Sequence, residues 1–174
     1  MPFADAIINS AKRMRGYAEK AVVGISDDIA AHKPEWGRGN GRIDCNHATF
    51  VFGHLALYPV RLMDVIGIKH SIKLPETYEG LFKAGALCHH DEYGTIYPRL
   101  SQVMPHYYAG HDAIFAGMAK LSDADLAKPI TDEKMKAHFP IVGEALTFML
   151  CSHTAIHIGQ VSTWRRAMGL PSVM

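Results

Sequence analysis

Apolar residues recur along this chain at helical rather than strand spacing, in four long stretches. The first, about Phe3 to Val23, sets Phe3, Ile7, Ala11, Met14, Ala18 and Val22 on one stripe, with Lys12, Arg13, Arg15, Glu19 and Lys20 mostly off it and Gly24 as a stop. The second, about Asn46 to Ile66, aligns Phe50, Val51, His54, Leu57, Tyr58, Arg61, Leu62 and Val65 and ends at Gly67. Pro59 lies inside it and is expected to bend or break the helix, because it removes a backbone hydrogen bond. The third, about Leu100 to Leu121, puts Met104, Tyr107, Tyr108, His111, Ile114, Phe115 and Met118 on one face, with Pro105 near its first turn. The fourth, about Val142 to Met168, carries Leu146, Met149, Leu150, His153, Ile156, His157, Gln160 and Trp164 and is closed by Gly169 and Pro171.

No segment sustains strand alternation, so the expected fold is all-α. Gly and Pro density marks 32–41 as a loop, and Ser122-Asp123-Ala124-Asp125 caps a brief turn. Residues 68–98 show mixed turn chemistry with one short helix around Tyr78 to Ala84, which makes them the long connection between the second and third helices of a bundle.

Length and composition narrow the picture. A chain of 174 residues, 48% of them apolar, suits one domain with one substantial core. Its 18 basic and 17 acidic residues nearly cancel, and there is no basic tract beyond a pair such as Arg165-Arg166, so nothing points to a nucleic-acid or membrane-surface partner. The N-terminus lacks a basic segment followed by an apolar one, and no window approaches the ~18 uninterrupted apolar residues of a membrane span. Cys45, Cys88 and Cys151 are odd in number and scattered, which fits a reducing compartment; the expected location is cytoplasmic.

The candidate chemistry lies in His153 and His157. On a helix, positions four apart are separated by ~40° of rotation and ~6 Å of rise, so both imidazoles can face one ion. With 11 histidines such a pair arises by chance, but this one shares the inward stripe of Leu146, Leu150 and Trp164. Buried imidazoles need partners, and coordination is one way to satisfy both; hydrogen bonding to neighbours or lining a wet cleft is the other.

His54 is the best third ligand, because it falls on the apolar stripe of the second helix and ligands from facing helices converge in a bundle core. His47 is its rival two turns earlier, expected to be frayed or exposed at the helix start. His111 is an inward histidine on the third helix, either a hydrogen-bonded core residue or a supporting member of the site.

Gln160 can orient a ligand or a metal-bound water, and Arg61 can meet a substrate carboxylate if it faces the pocket; Tyr58 and Trp164 can line that pocket. The run Cys88-His89-His90-Asp91-Glu92 offers ligand atoms too closely spaced for more than two to reach one ion, and is expected to be a solvated loop. Cys151 lies nearly opposite His153 on the helix and should not join it.

Gly53-His54-Leu55-Ala56, with His153-Thr154-Ala155-Ile156-His157-Ile158-Gly159-Gln160 followed by Arg165-Arg166-Ala167-Met168-Gly169-Leu170-Pro171, resembles the DinB/YfiT-like family. The resemblance implies an up-down-down-up four-helix bundle, often a homodimer, in which His54, His153 and His157 bind a divalent ion such as zinc or nickel. The chain departs from the family in its Gly-rich, Trp-containing segment 36–40 and in the run from Cys88 to Glu92. Those differences leave the pocket's shape and its substrate open.

Three neutral imidazoles leave a divalent ion open positions, the arrangement of catalytic rather than closed structural sites. Such an ion lowers the pKa of bound water to ~7 or stabilises a thiolate, which suits hydrolysis or thiol transfer. The resemblance therefore implies a metal-dependent enzyme acting on a small molecule, with S-transfer from a low-molecular-weight thiol favoured over hydrolysis. The alternatives are a stress-associated protein that binds metal or ligand without turnover, and a structural dimerisation bundle.

Overall fold

The computed structural model describes residues 2–37 and 41–173. Within them the chain is helical, with two isolated bridges, Glu35 to Arg42 and Pro129 to Ile141, and no extended strand. Arg38, Gly39 and Asn40 of the Gly-rich segment lie outside the described residues.

Helix α1 (Phe3–Val22) buries Ala4, Ile7, Ile8, Ala11, Ala18 and Ala21. Phe3, expected on that stripe, is instead half-exposed: it opens the helix, and its backbone N–H is tied to the Asp123 carboxylate at 2.9 Å. The other end of α1 is closed from the far end of the chain. Arg165, fully buried, donates from Nη1 to the carbonyls of Ala21 (3.0 Å) and Val23 (2.6 Å) and from Nη2 to Pro171 (3.0 Å). A guanidinium there satisfies carbonyls that a helix C-terminus leaves without partners.

Helix α2 (Ala48–Ile66) is buried along most of its length. It is 19 residues long with a mean hydropathy of 1.3, enough in length and composition to cross a membrane, yet 67% of that stretch is buried inside the protein. Pro59 does not break it. The ring packs against Gly110 of the facing helix, where an added Cβ would lie 3.3 Å from that of Pro59, so a glycine notch accommodates the proline.

Helix α3 (Thr77–Phe82) is the short helix of the connection, ending two residues earlier than the sequence suggested, and α4 (Leu100–Met118) contains Pro105 without interruption. Two single turns, α5 (Asp123–Leu126) and α6 (Glu133–Lys136), lead to α7 (Val142–Thr147). A π-helical turn over Phe148–His153 then joins α7 to α8 (Thr154–Ala167), so the long final helix expected from the sequence is one rod with a widened turn inside it.

Contacts along the helices fix their directions. Phe52 meets Tyr107, Pro59 meets Gly110, and Ile68 just beyond α2 meets Gly117, so α2 and α4 run parallel. The Cys151 thiol reaches the carbonyl of Ile7 and Arg165 that of Ala21, so α1 is parallel to the final rod. Asn46 meets Gln160 while Tyr58 meets His153, so α2 and the final rod are antiparallel.

Two apolar clusters fill the interior. One holds Phe50, Phe52, Phe82, Tyr107 and Trp164; the other holds Ile7, Leu62, Ile114, Leu146 and Leu150. Along the final rod the histidine pair falls at the passage from one cluster to the other, whereas His54 lies on the α2 stretch that belongs to the first.

Candidate metal centre

His54, His153 and His157 meet, with one ring nitrogen of each lying within 4.8 Å of the other two. Nε2 of His153 is 3.3 Å from Nε2 of His54 and 3.1 Å from Nε2 of His157. Ligand nitrogens held ~2.0–2.1 Å from a zinc-like ion at tetrahedral angles stand ~3.3–3.4 Å apart, close to both separations.

The tautomers are set by the outer ring nitrogens. A carbonyl can only accept, so the 2.7 Å contact between His54 Nδ1 and the Phe82 carbonyl puts the proton on Nδ1 and leaves Nε2 a bare lone pair. His157 Nδ1 donates to Gln160 Oε1 at 3.0 Å, and Asn46 Nδ2 donates to the same oxygen at 3.2 Å, which fixes the amide's orientation. Its Nε2 is likewise bare. The third ring differs: His153 Nδ1 is buried with no hydrogen-bond partner among the described residues. In the metal-free protein its proton can therefore sit on Nε2 and bridge to either bare nitrogen, the place a bound cation would take. Outward N–H bonds such as those of His54 and His157 are how proteins orient metal-ligating histidines.

Further protonation is disfavoured. Burial, opposed by the bond to Phe82, takes His54 down to about 4. Burial again, with repulsion from His157 and His54, takes His153 down to about 3, and burial lowers His157 as well. All three rings are neutral near pH 7, the state in which imidazole binds metal.

Local folding explains the convergence. Gly53 precedes His54, and a Cβ there would stand 2.6 Å from the Phe82 ring. Only glycine lets α3 lie so close to α2, and that approach delivers the Phe82 carbonyl to His54. On the final rod, the π-helical turn inserts about one residue into the helical repeat, shifting the phase of the residues beyond it by ~100°. Thr154 Oγ1 fills the widened turn by donating to the Met149 carbonyl at 3.2 Å. Ile156, expected on the inward stripe, consequently points out and is 56% exposed, while His153 and His157 are half-buried facing His54.

The remaining sequence candidates divide. Gln160 is the residue that orients His157. Tyr58 walls the site, its ring centroid 4.9 Å from that of His54 and 4.5 Å from that of His153. Arg61 lines the same cleft as Tyr58 and His153, but its guanidinium is held by both carboxylate oxygens of Glu79.

Trp164 is buried, donates to the His32 carbonyl at 2.7 Å, and borders a different cavity with Cys45 and Cys88. His111 is not brought to the site: its Nδ1 donates to the Tyr107 carbonyl one turn back at 2.8 Å, and its ring packs on Tyr107 and Phe115.

His47 corrects an expectation. It is fully buried rather than frayed, because it caps α2: its Nδ1 accepts from the N–H of Phe50 at 3.1 Å, and Nε2 donates to the His89 carbonyl at 3.0 Å. Both ring nitrogens are spent, so it has none to offer a metal. Within the run from Cys88 to Glu92, His90 and Asp91 are spent similarly. His90 Nδ1 accepts from the N–H of Lys33, and the Asp91 carboxylate takes the N–H groups of Thr95, Ile96 and Tyr97. Cys151 points to α1, away from the triad.

Sequence reasoning missed Gly53 as a spacer, the Phe82 carbonyl, Asn46 and the π-helical turn. Gly53, a glycine inside an apolar helix next to the central histidine, carried the one signal that was readable. Comparison with protein-family models and with curated proteins finds no match for this chain.

Proposed function

We propose that this chain is a divalent-metal-dependent enzyme built as a DinB/YfiT-like four-helix bundle, with His54, His153 and His157 holding zinc or nickel and thiol-dependent S-transfer as its reaction. The observation that carries the reading is the convergence of three Nε2 atoms, two of them stripped of protons by the Phe82 carbonyl and Gln160. The parallel pairings of α2 with α4 and of α1 with the final rod support an up-down-down-up bundle.

A bound divalent ion with open positions supplies Lewis acidity toward a thiol or water. The chain's own residues do the rest. Phe82 and Gln160 hold two rings in the ligand tautomer, Tyr58 packs on His54 and His153 and shields them from water, and the cleft beyond His153 admits a small molecule. A homodimer acting in the cytoplasm on a low-molecular-weight thiol completes the proposal.

Turnover tests it. Metal-loaded protein incubated with bacillithiol, mycothiol or glutathione and an electrophile should form thioether adducts at a rate that collapses in His153→Ala. Hydrolysis of ester or amide substrates without thiol use would shift the reading to a hydrolase, and silence in every combination would leave metal binding without turnover.

A further inference from the structure

A second cavity meets Gln160 without meeting the three histidines. It encloses about 850 Å³ between α8 and the segments 43–46 and 86–88, and it shares no lining residue with the cleft that reaches His153. Ile43, Leu87, Ile156 and Trp164, with Cys45 and Cys88, make its walls largely apolar. Burial pushes the Cys88 thiol up to about 11 and raises that of Cys45, so both sulfurs are neutral near pH 7. Asp44 is the one charged residue on the lining, and its side chain is 97% exposed and paired with Lys33 at 2.6 Å. The interior therefore holds no ionic group and favours a neutral ligand.

Two unspent hydrogen-bonding groups border this space. Asn46 Nδ2 donates to Gln160 Oε1 at 3.2 Å, and the same oxygen accepts from His157 Nδ1. The reciprocal bond, from Gln160 Nε2 to Asn46 Oδ1, is not made, and neither atom bonds any other described residue. Neither is among the buried atoms that lack a partner, so both are open to solvent, and the space that Asn46 and Gln160 border is this cavity. An apolar pocket with one spare donor beside one spare acceptor is a built recognition site.

Gly159 adds an independent observation. It lies within α8, where alanine in its place would strengthen the helix by ~1 kcal/mol. Unlike Gly53, it makes room for no other part of the protein: a Cβ there would meet nothing within 4 Å, and the open space is the cavity that Gly159 lines.

We propose that this cavity binds a neutral, flat molecule with a lactam or imide edge, an N–H next to a C=O, of the kind carried by pyrimidinedione and quinolinone heterocycles. The ligand's N–H donates to Asn46 Oδ1 and its C=O accepts from Gln160 Nε2, which completes the open amide pair. Its ring lies against Ile156 and Leu87, over Gly159. The site stands whether or not the histidines hold a metal.

Titration calorimetry on the protein as purified tests this with three probes of similar shape. Carbostyril, a bicyclic lactam, has both groups; N-methylcarbostyril has lost the donor, and quinoline lacks the N–H and the carbonyl. Carbostyril should bind about tenfold more tightly than either. Asn46→Leu should erase the difference between carbostyril and its N-methyl form, and Gln160→Glu, which puts an oxygen where Nε2 stood, should cost carbostyril about tenfold.

Gly159→Leu fills the cavity from a helix position that crowds nothing, so it should abolish binding of carbostyril without lowering the urea midpoint of unfolding. Equal affinity for the three probes, no binding of carbostyril by the folded parent at millimolar concentration, or carbostyril binding that survives Gly159→Leu overturns the proposal. Metal content enters none of these readings, so failure of the metal reading would leave this test untouched.

Discussion

His54 donates its Nδ1 proton to the carbonyl of Phe82 at 2.7 Å, and Phe82 is placed by the absence of a side chain at Gly53. One backbone oxygen at the end of α3 thereby sets which nitrogen of a histidine on α2 faces the centre. A Cβ at Gly53 would overlap the Phe82 ring and push α3 outward. Gly53→Ala should cost ~1–3 kcal/mol of stability through overpacking, and metal affinity should fall by about 10- to 100-fold as His54 loses its fixed tautomer. Urea unfolding and competition against a chelator measure the two effects. Unchanged metal affinity in the Gly53→Ala variant would remove the Phe82 carbonyl from the account.

Gln160 does for His157 what Phe82 does for His54. In Gln160→Leu the Nδ1–H loses its acceptor, and the expected loss of metal affinity is again about 10- to 100-fold. Gln160→Glu keeps an acceptor and should retain at least the affinity of the parent. Identical affinities for Leu and Glu at this position would contradict the orienting role.

Arg165 carries no metal chemistry and much of the closure of α1. Arg165→Met removes three hydrogen bonds to buried or half-buried carbonyls, for an expected loss of ~2–5 kcal/mol. Urea unfolding should show that loss, while the folded fraction still binds metal with the parent's stoichiometry.

Acid should destabilise the metal-free protein through its buried histidines, His47 and His111 among them beside the triad. Burial holds both down to about 4 from the usual 6.5, the lowering of each partly opposed by a bond to a backbone carbonyl. Above 6.5 both are neutral in either state and stability is full. Between 6.5 and about 4 the unfolded chain takes up protons that the folded chain refuses, so stability falls with falling pH. The slope is ~1.4 kcal/mol per pH unit for each such histidine. His111→Gln should show a shallower slope over that window than the parent; an equal or steeper one contradicts a neutral, buried His111.

The helices and the triad were legible because each announces itself in periodicity. Four apolar stripes located the long helices, and His54 and the His153–His157 pair lay on inward stripes of two of them. What escaped has no such period. A π-helical turn depends on one inserted residue, so the Ile156 side of the stripe was misphased, although the histidine pair still faced inward.

His47 illustrates another limit. Capping satisfies its Nδ1 locally, but its Nε2 depends on a carbonyl 42 residues away, and only the folded connection shows that this rival ligand is already committed. Arg61 likewise had the right face and a partner, Glu79, that spacing could not foretell.

The central claim is that His54, His153 and His157 hold one metal ion together. Metal content of the purified protein measures this most directly, by elemental analysis after removal of loosely bound ions. The account predicts about one zinc or nickel per chain, reduced to a small fraction in each of His54→Ala, His153→Ala and His157→Ala and unchanged in His111→Gln. Protein that folds but takes up no divalent metal, or that keeps a full equivalent when any one of the three is replaced, would contradict it.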